Sequence, residues 1–153
     1  MKIFFLVAII IAGYSANIFA QNFAATTTDD LAAITKTLNY YIEGGTNRDS
    51  ATVAKAFMTD GQMIGMRNDT LRIVPLKDYV ANVKPGDKVK RSCRIASIQV
   101  AGTAASARVE LVYEEFMFID FMNLVKTKDG WKIVNKIFYR EDKPKEPTVQ
   151  AKK

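Results

Sequence analysis

The residues of this sequence that could do chemistry are concentrated between Phe118 and Tyr139, in the stretch FIDFMNLVKTKDGWKIVNKIFY. Asp129-Gly130 separates two alternating apolar runs, a pattern typical of a β-hairpin with a tight turn. An even-numbered loop would place on one face of this hairpin Asp120, Met122, Leu124, Trp131, Ile133, Asn135, Ile137 and Tyr139. This face is apolar except for three polar groups, which are therefore the first candidates for a site.

Asp120 is the candidate catalytic residue. Desolvation on an apolar face would favour its protonated form, which suits a general base or a neutral hydrogen-bond donor. Alternatively, Asp120 lies at a strand end, paired with an arginine or capped by backbone amides, because burying a lone charge is costly. Asn135 occupies a position where an apolar residue is expected, so it either binds a ligand or ties a helix end to the sheet.

The remaining candidates surround a predicted pocket rather than react. We expect Trp131 to pack in the core at the pocket wall rather than to form an aromatic cage. The predicted ligand-binding residues are Tyr41, Tyr113, Met122, Trp131, Asn135 and Tyr139. The chain has no histidine and one cysteine, Cys93. This composition excludes histidine-based catalysis and an internal disulfide, and with no metal-ligand spacing or phosphate loop we expect neither metal nor cofactor.

The elements that must position these residues follow from apolar periodicity. A first helix is predicted from Thr28 to a stop at Gly44-Gly45. It is followed by a helix over 50–57, a hairpin of 62–67 with 70–74, and a helix over 75–83. Two longer strands are predicted over 89–100 and 104–113. These two strands should pair through Gly102-Thr103. Their predicted inner face carries Ile98, Val100, Val109, Leu111 and Tyr113, with Ser92 and Arg94 toward the far end. Their predicted outer face carries Arg91, Arg108, Glu110 and Glu114.

Helices followed by strands argue for an α+β domain, with three helices packed on one face of a curved antiparallel sheet. We place this single domain at 28–140. Residues 1–20 have the charged, apolar and small-residue order of a signal peptide, with cleavage after Ala20, and an uncleaved membrane anchor is the alternative. Residues 21–27 are predicted to be a flexible leader and 141–153 a disordered basic tail. We therefore expect an exported protein, periplasmic or secreted, without a permanent membrane span.

The net charge of +6 is scattered over the sequence. No aromatic and basic signature of nucleic-acid binding accompanies it, so we expect no nucleic-acid partner.

Two segments, YYIEGGTNRDSATVAKAFMTDGQMIG and DFMNLVKTKDGWKIVNKIFY, resemble the nuclear transport factor 2-like superfamily. More narrowly, they resemble its exported putative lumazine-binding branch, related to the polyketide cyclase-like (SnoaL-like) group, over roughly residues 31–139. The resemblance implies a cystatin-like cone, with the sheet wrapped around the first helix above a pocket, and homodimers through the outer sheet face. Relatives often carry histidine where this chain has Met58 and Tyr139, which leaves a histidine mechanism unsupported.

Three functions remain open at this level. The first is an exported domain that binds a small apolar or aromatic ligand without catalysis. The second is a cofactor-free isomerase or dehydratase, with Asp120 as base and, as the resemblance implies, a phenol from Tyr40, Tyr41, Tyr113 or Tyr139. The third is a dimeric assembly module with a vestigial pocket. The sequence alone does not establish that the protein is an enzyme, and the absence of histidine favours binding.

Overall fold

The computed structural model describes residues 28–144. The predicted signal peptide, the predicted leader and the tail beyond residue 144 lie outside the described residues. Within them, no helix is long and apolar enough to cross a membrane. The final strand extends to Asp142, and the backbone N–H of Lys143 donates to the carbonyl of Glu115 (2.8 Å). The ordered domain therefore extends slightly past the predicted end at residue 140.

The order of elements agrees with the sequence prediction. Two helices, a hairpin, a helix and four strands follow one another: α1 (28–47), α2 (Ser50–Ala56), β1 (Phe57–Arg67), β2 (Thr70–Pro75), α3 (Leu76–Ala81), β3 (Ser92–Ala101), β4 (Ala104–Val112), β5 (Phe116–Thr127) and β6 (Gly130–Asp142). They form an α+β fold in which the helices accompany a curved, unclosed sheet.

The sheet has six strands in the order β2-β1-β6-β5-β4-β3. All neighbouring strands are antiparallel except β1 and β6, which run parallel. The prediction made the whole sheet antiparallel and is wrong for this pair. Strand β1 also starts earlier than predicted, because Phe57 leaves α2 with an extended backbone and pairs with Ile133. This pairing brings the end of α2 onto the middle of the sheet.

The prediction that Gly44-Gly45 ends the first helix is wrong. Helix α1 continues through both glycines to residue 47, and Arg48 follows with a positive φ of 55°. A side chain at position 44 would place its Cβ 2.6 Å from the backbone nitrogen of Val53. Glycine is therefore needed here because α1 and α2 approach each other closely, and not because the chain must turn.

The predicted facing of the β5–β6 hairpin is correct near its turn and wrong beyond it. Leu124 pairs with Ile133, but Asn123 pairs with Asn135, so Val134 is an extra residue in β6. A bulge of this kind inverts the alternation of the residues that follow. Ile137 and Tyr139, like Asn135, consequently lie on the outer face of the sheet.

The side chains that replace them on the inner face are Lys136 and Phe138. Lys136 is 6 % exposed, whereas Ile137 and Tyr139 are 46 % and 61 % exposed. The inner face therefore carries a cation where the unbroken alternation predicted apolar side chains.

A second bulge changes the facing of β3. Ile95 pairs with Val109 but Ser97 pairs with Arg108, which makes Ala96 the extra residue. The predicted inner position of Arg94 is therefore wrong, and so is the predicted outer position of Arg91. Arg94 is exposed and pairs with Glu110 on the outer face, whereas Arg91 faces the helices. Ser92 is exposed, in line with the same inversion.

The outer face is the sheet surface that turns away from the helices. Its register places together a set of apolar side chains from β1, β2, β5 and β6, namely Ile64, Met66, Leu71, Ile73, Phe121, Ile137 and Tyr139. Six of these seven, all but Ile64, are large exposed hydrophobic residues.

The inner face packs on α1 to form the core. Ile34 and Leu38 of α1 are fully buried against strand residues such as Val109 and Leu124. Trp131 joins the same cluster, and its indole N–H donates to Asp30 (3.0 Å) while its carbonyl accepts from the Thr37 hydroxyl (3.0 Å). The tryptophan thus ties β6 to two turns of α1, as its predicted core position requires.

Replacing Trp131 by alanine should destabilise the domain by about 3–5 kcal/mol, because a buried aromatic leaves a cavity that the surroundings fill only in part. Urea unfolding followed by circular dichroism measures this loss. Lys128→Ala, in the exposed β5–β6 turn, is the control and should change stability by less than about 0.5 kcal/mol. A loss below about 1 kcal/mol for Trp131→Ala would contradict the packing described here.

Candidate functional site

Three polar side chains meet in the interior where α1 crosses β5 and β6. The Tyr41 hydroxyl donates to Asp120 Oδ2 (2.6 Å), and Lys136 Nζ donates to the Tyr41 oxygen (2.8 Å). Lys136 Nζ also lies 3.1 Å from Asp120 Oδ2. We call Tyr41, Asp120 and Lys136 the buried triad. Each of its members comes from a different element, so the triad exists only in the folded chain.

The triad has little contact with water. Tyr41 is 1 % exposed and Asp120 is 0 % exposed. Burial raises the pKa of the Tyr41 phenol well above its ordinary value of 10.0, and neighbouring Tyr79 and the Asp120 carboxylate raise it further. Tyr41 is therefore a neutral phenol at neutral pH, and the ion pair beside it has no net charge.

One acceptor of the triad is not satisfied. Asp120 Oδ1 is buried and has no hydrogen-bond partner among the described residues. Lys136 has three ammonium donors, of which Asp120 and Tyr41 account for two. The triad thus retains hydrogen-bonding capacity beyond its internal contacts.

A cavity of about 210 Å³ opens next to the triad, between α1, α3 and the inner face of the sheet. We call it the inner cavity. Its lining is largely aromatic and includes two cations: Tyr41, Met63, Tyr79, Arg91, Leu111, Tyr113, Phe118, Lys136 and Phe138. Asp120 does not line it, but Tyr41 and Lys136, which it contacts, both do. The cavity is therefore apolar in its walls and cationic at specific points.

Arg91 reaches the inner cavity from the loop before β3. Its Nε donates to the Thr46 hydroxyl (3.0 Å), one Nη to the Ile42 carbonyl (3.2 Å) and the other to the Tyr113 hydroxyl (2.7 Å). Burial is the largest influence on the pKa of Arg91 and lowers it, but the hydrogen bond to Tyr113 and the electrostatic interactions with Tyr113, Cys93 and Tyr41 together outweigh burial, so the net pKa is raised. Arg91 therefore remains a guanidinium cation and is held in place by the end of α1.

The predicted site residues form three groups in the structure: those at the inner cavity, those in the core and those on the outer face. Tyr41 and Tyr113 line the inner cavity, and Asp120 lies directly behind Tyr41 and Lys136. Met122 and Trp131 are buried in the core but do not line the cavity. A catalytic role for Asp120 stays a prediction. The surroundings of Asp120 match the alternative prediction of a paired carboxylate, although its partner is Lys136 and not an arginine.

Asn135 and Tyr139 do not face the inner cavity, so their prediction as pocket residues is wrong in placement. The bulge at Val134 turns both outward. The Asn135 amide nitrogen donates to the Gln62 carbonyl of β1 (3.3 Å), which ties two strands together rather than a helix end to the sheet. Tyr139 is largely exposed on the outer face.

Sequence reasoning missed Lys136 and Arg91, the two cations of the site. Period-two alternation continued through a bulge predicts both on the outer face, which is the wrong side of the sheet. The adjacent apolar pair Ile133-Val134 breaks the alternation and is the signal that could have exposed the first error. At Ala96 the corresponding signal is that the apolar residues change from odd positions, Cys93 and Ile95, to even positions, Ile98 and Val100.

No metal site competes with this description. Across residues 28–144, no three cysteine, aspartate or glutamate side chains cluster closely enough to hold a metal ion.

The effects of substituting Asp120 and Lys136 on the stability of the domain should be coupled. Asp120→Asn and Lys136→Met should each cost about 3–5 kcal/mol, because each leaves the other group buried without its partner. The double variant should cost clearly less than the sum of the two, since it removes both charges. Denaturant unfolding of all four proteins measures the coupling free energy.

The exposed pair Arg140 and Asp142 provides a matched control (2.9 Å). Arg140→Met and Asp142→Asn should each cost less than about 1 kcal/mol and show little coupling. Additive losses for Asp120 and Lys136, within about 0.5 kcal/mol, would show that the two charges do not depend on each other.

Comparison with known proteins places this geometry in a known family. Residues 29–139 match the family model described as "Putative lumazine-binding". A curated relative, the aldolase FrzH of a Cladobotryum species, is 25 % identical over 116 residues, covering 74 % of this chain and 93 % of the relative.

Solved structures agree with the family match. A nuclear transport factor 2-like protein of unknown function from Shewanella baltica is 33 % identical, with a TM-score of 0.65 over 74 % of this chain and 95 % of its own. A cystatin-like fold protein from Burkholderia xenovorans is 16 % identical, with a TM-score of 0.60 over 76 % and 95 % of the two chains, and shows the fold. The predicted cystatin-like α+β fold is thereby confirmed, and the chain belongs to the putative lumazine-binding family of the nuclear transport factor 2-like superfamily.

Proposed function

We propose that this chain is a small-molecule-binding domain whose ligand occupies the inner cavity. The observation that carries the proposal is the lining, in which aromatic rings form the walls and a few hydrogen-bonding groups are placed among them. Ligand sites in proteins commonly combine apolar walls with a small number of oriented polar groups. The volume of about 210 Å³ lies below the roughly 300–1,000 Å³ usual for drug-sized ligands, which favours a small ligand.

The ring geometry favours a flat ligand. Phe118 lies edge-on to both Tyr113 (centroids 6.0 Å apart) and Phe138 (5.8 Å). Aromatic side chains gain most from stacked or edge-to-face contact with another ring. The family description names lumazine, a planar heterocycle, and a ligand of that shape is compatible with these walls.

We further propose that binding takes place outside the cytoplasm. The support is the order of charged, apolar and small residues over 1–20, which is that of a cleaved signal peptide. Cleavage after Ala20 would release a mature chain that begins at Gln21, in the periplasm or the medium.

A second copy of the chain is the proposed partner of the outer face. Exposed Phe121, Ile137 and Tyr139 lie next to exposed residues of β1 and β2. Large contiguous apolar patches on a protein surface mark interaction sites. A self-complementary sheet face would bury this patch in a twofold dimer.

Native mass spectrometry of the mature protein, Gln21 to Lys153, purified from the envelope of its own host, tests the binding proposal. We expect a small molecule to accompany the wild-type protein. Met63→Trp should abolish this mass because Met63 lines the inner cavity and the larger side chain would fill it. Met66→Trp is the matched control, since Met66 lies in the same strand, is 58 % exposed, and should leave the ligand in place.

The same spectrum reports the oligomeric state, for which we expect a dimer. A ligand-free wild-type protein, or a ligand that survives Met63→Trp, would contradict the binding proposal. A ligand-free dimer would favour the assembly module instead.

A second candidate function is catalysis on a carbonyl compound. Two observations favour it: the relative described as an aldolase, and the presence of Tyr41 and Lys136 side by side on the cavity wall. An ammonium that faces a substrate carbonyl can stabilise the negative charge that develops on its oxygen when a neighbouring carbon loses a proton to water or a buffer base. In this arrangement Asp120 acts through Lys136 and Tyr41, as a positioning residue.

Deuterium uptake tests the catalytic candidate. Phenylacetone in D₂O should exchange its acidic C–H hydrogens faster with the protein than in buffer alone, as followed by proton NMR. Lys136→Met should remove the acceleration, whereas Lys132→Met should preserve it, because Lys132 of the same strand does not line the inner cavity and donates instead to the Lys55 carbonyl. Exchange at the buffer rate with wild-type protein would reject catalysis on this class of ketone.

A further inference from the structure

Arg91 is a cation that lines the cavity and has no acidic partner among residues 28–144. The side chains that form ion pairs in the described part of the chain are Arg94, Arg108, Lys126, Lys136 and Arg140. Arg91 is absent from this group although it is partly buried, and its three hydrogen bonds all go to neutral oxygens. These bonds fix the position of the guanidinium and leave its charge uncompensated.

The guanidinium also has donors to spare. An arginine side chain has five N–H donors, and three are used here, one on each nitrogen. One N–H therefore remains on each of the two terminal nitrogens. N–H groups of a guanidinium form charge-assisted hydrogen bonds with the oxygens of a carboxylate.

The position of Arg91 depends on a glycine of α1. A Cβ at position 45 would lie 2.7 Å from a terminal nitrogen of Arg91, so any side chain there would displace the guanidinium. Gly45 does not end the helix, and its backbone is helical. Its lack of a side chain instead provides the space in which the cation sits.

The charge balance of the inner cavity follows. Lys136 is paired with Asp120 at 3.1 Å, and Arg91 and Lys136 are the only arginine, lysine, aspartate or glutamate side chains among the described residues that line the cavity. The cavity therefore carries one net positive charge, and that charge belongs to Arg91. A partly buried charge without a counter-ion is unfavourable, and a bound anion would relieve this cost.

Resting on the proposed function, we infer that the inner cavity takes a small planar carboxylate, with its carboxylate on Arg91 and its ring between the aromatic walls. Tyr113 helps to place the group, since its hydroxyl holds one terminal nitrogen and the Arg91 guanidinium carbon lies 5.7 Å from its ring centroid. The cavity therefore favours a ligand that is negatively charged at the end next to Arg91 and planar in the rest of its structure. Lys136 supplies a hydrogen bond but no net charge, because its charge is already matched.

Benzoate and benzamide are the probes that test this inference, because they share one shape and differ in charge. Isothermal titration of the mature chain at pH 7 should show benzoate binding at least tenfold more tightly than benzamide. Arg91→Met should weaken benzoate at least tenfold while leaving benzamide within about twofold. Arg94→Met is the matched control and should change neither affinity, because Arg94 is 70 % exposed in its side chain on the outer face and Glu110 keeps Arg108 as a partner.

The comparison of the two probes on wild-type protein needs no variant, so the test remains decisive if Arg91→Met fails to fold. Equal affinity for both probes, or no binding of benzoate at 10 mM, overturns the inference. The failure of the proposed function is distinguishable: benzamide binding that Met63→Trp abolishes would leave a working cavity without charge selection. If neither probe binds and no small molecule co-purifies with the protein, both proposals are wrong.

Discussion

The fold depends on one constraint, which is that the Lys136 ammonium and the Asp120 carboxylate must meet inside the protein. Separately, each charge would be costly to bury, and together they are acceptable only at close distance and with further hydrogen bonds. Tyr41 supplies these bonds from α1, donating to one partner and accepting from the other. The ion pair therefore links two strands and a helix, and fixes how the helix is placed on the sheet.

The bulge at Val134 is the backbone counterpart of this constraint. Without the extra residue, Lys136 would point outward and Ile137 inward, and Asp120 would lose its partner. The chain thus gives up regular alternation in β6 to bring a cation to a carboxylate. Bulges commonly serve to aim a side chain near a functional site.

The sequence alone predicted the features that depend on residues close together in the chain. It did not predict the features that depend on contacts between distant residues. Element order followed from local patterns such as the Asp129-Gly130 turn and the stripe of Ile34 and Leu38, and these were correct. Facing was correct between each hairpin turn and its bulge and inverted on the far side of the bulge, because a single extra residue affects every position beyond it. The register is decided by contacts between β6 and its neighbours, and no window of the sequence contains those contacts.

The glycines show the same limit. Gly44-Gly45 is a normal helix stop by composition, and only the positions of Val53 and Arg91 reveal why side chains are excluded there. The candidate site was therefore predicted in part: Tyr41, Tyr113 and Asp120 were identified from their types and faces, whereas both cations required the tertiary structure. Residues that act through long-range packing leave little trace in local spacing.

The arrangement of donors and acceptors also bears on what the inner cavity can do. Its phenols and cations donate hydrogen bonds, whereas the carboxylate closest to it, Asp120, is paired and does not line it. The high pKa of Tyr41 keeps its proton in place, directed at Asp120 rather than at the cavity. A site of this composition is better suited to holding an electron-rich group than to removing a proton from one. For this reason we prefer binding to catalysis as the function, and any reaction would have to use water, a buffer base or a group of the substrate itself as its base, because the Lys136 ammonium can only donate.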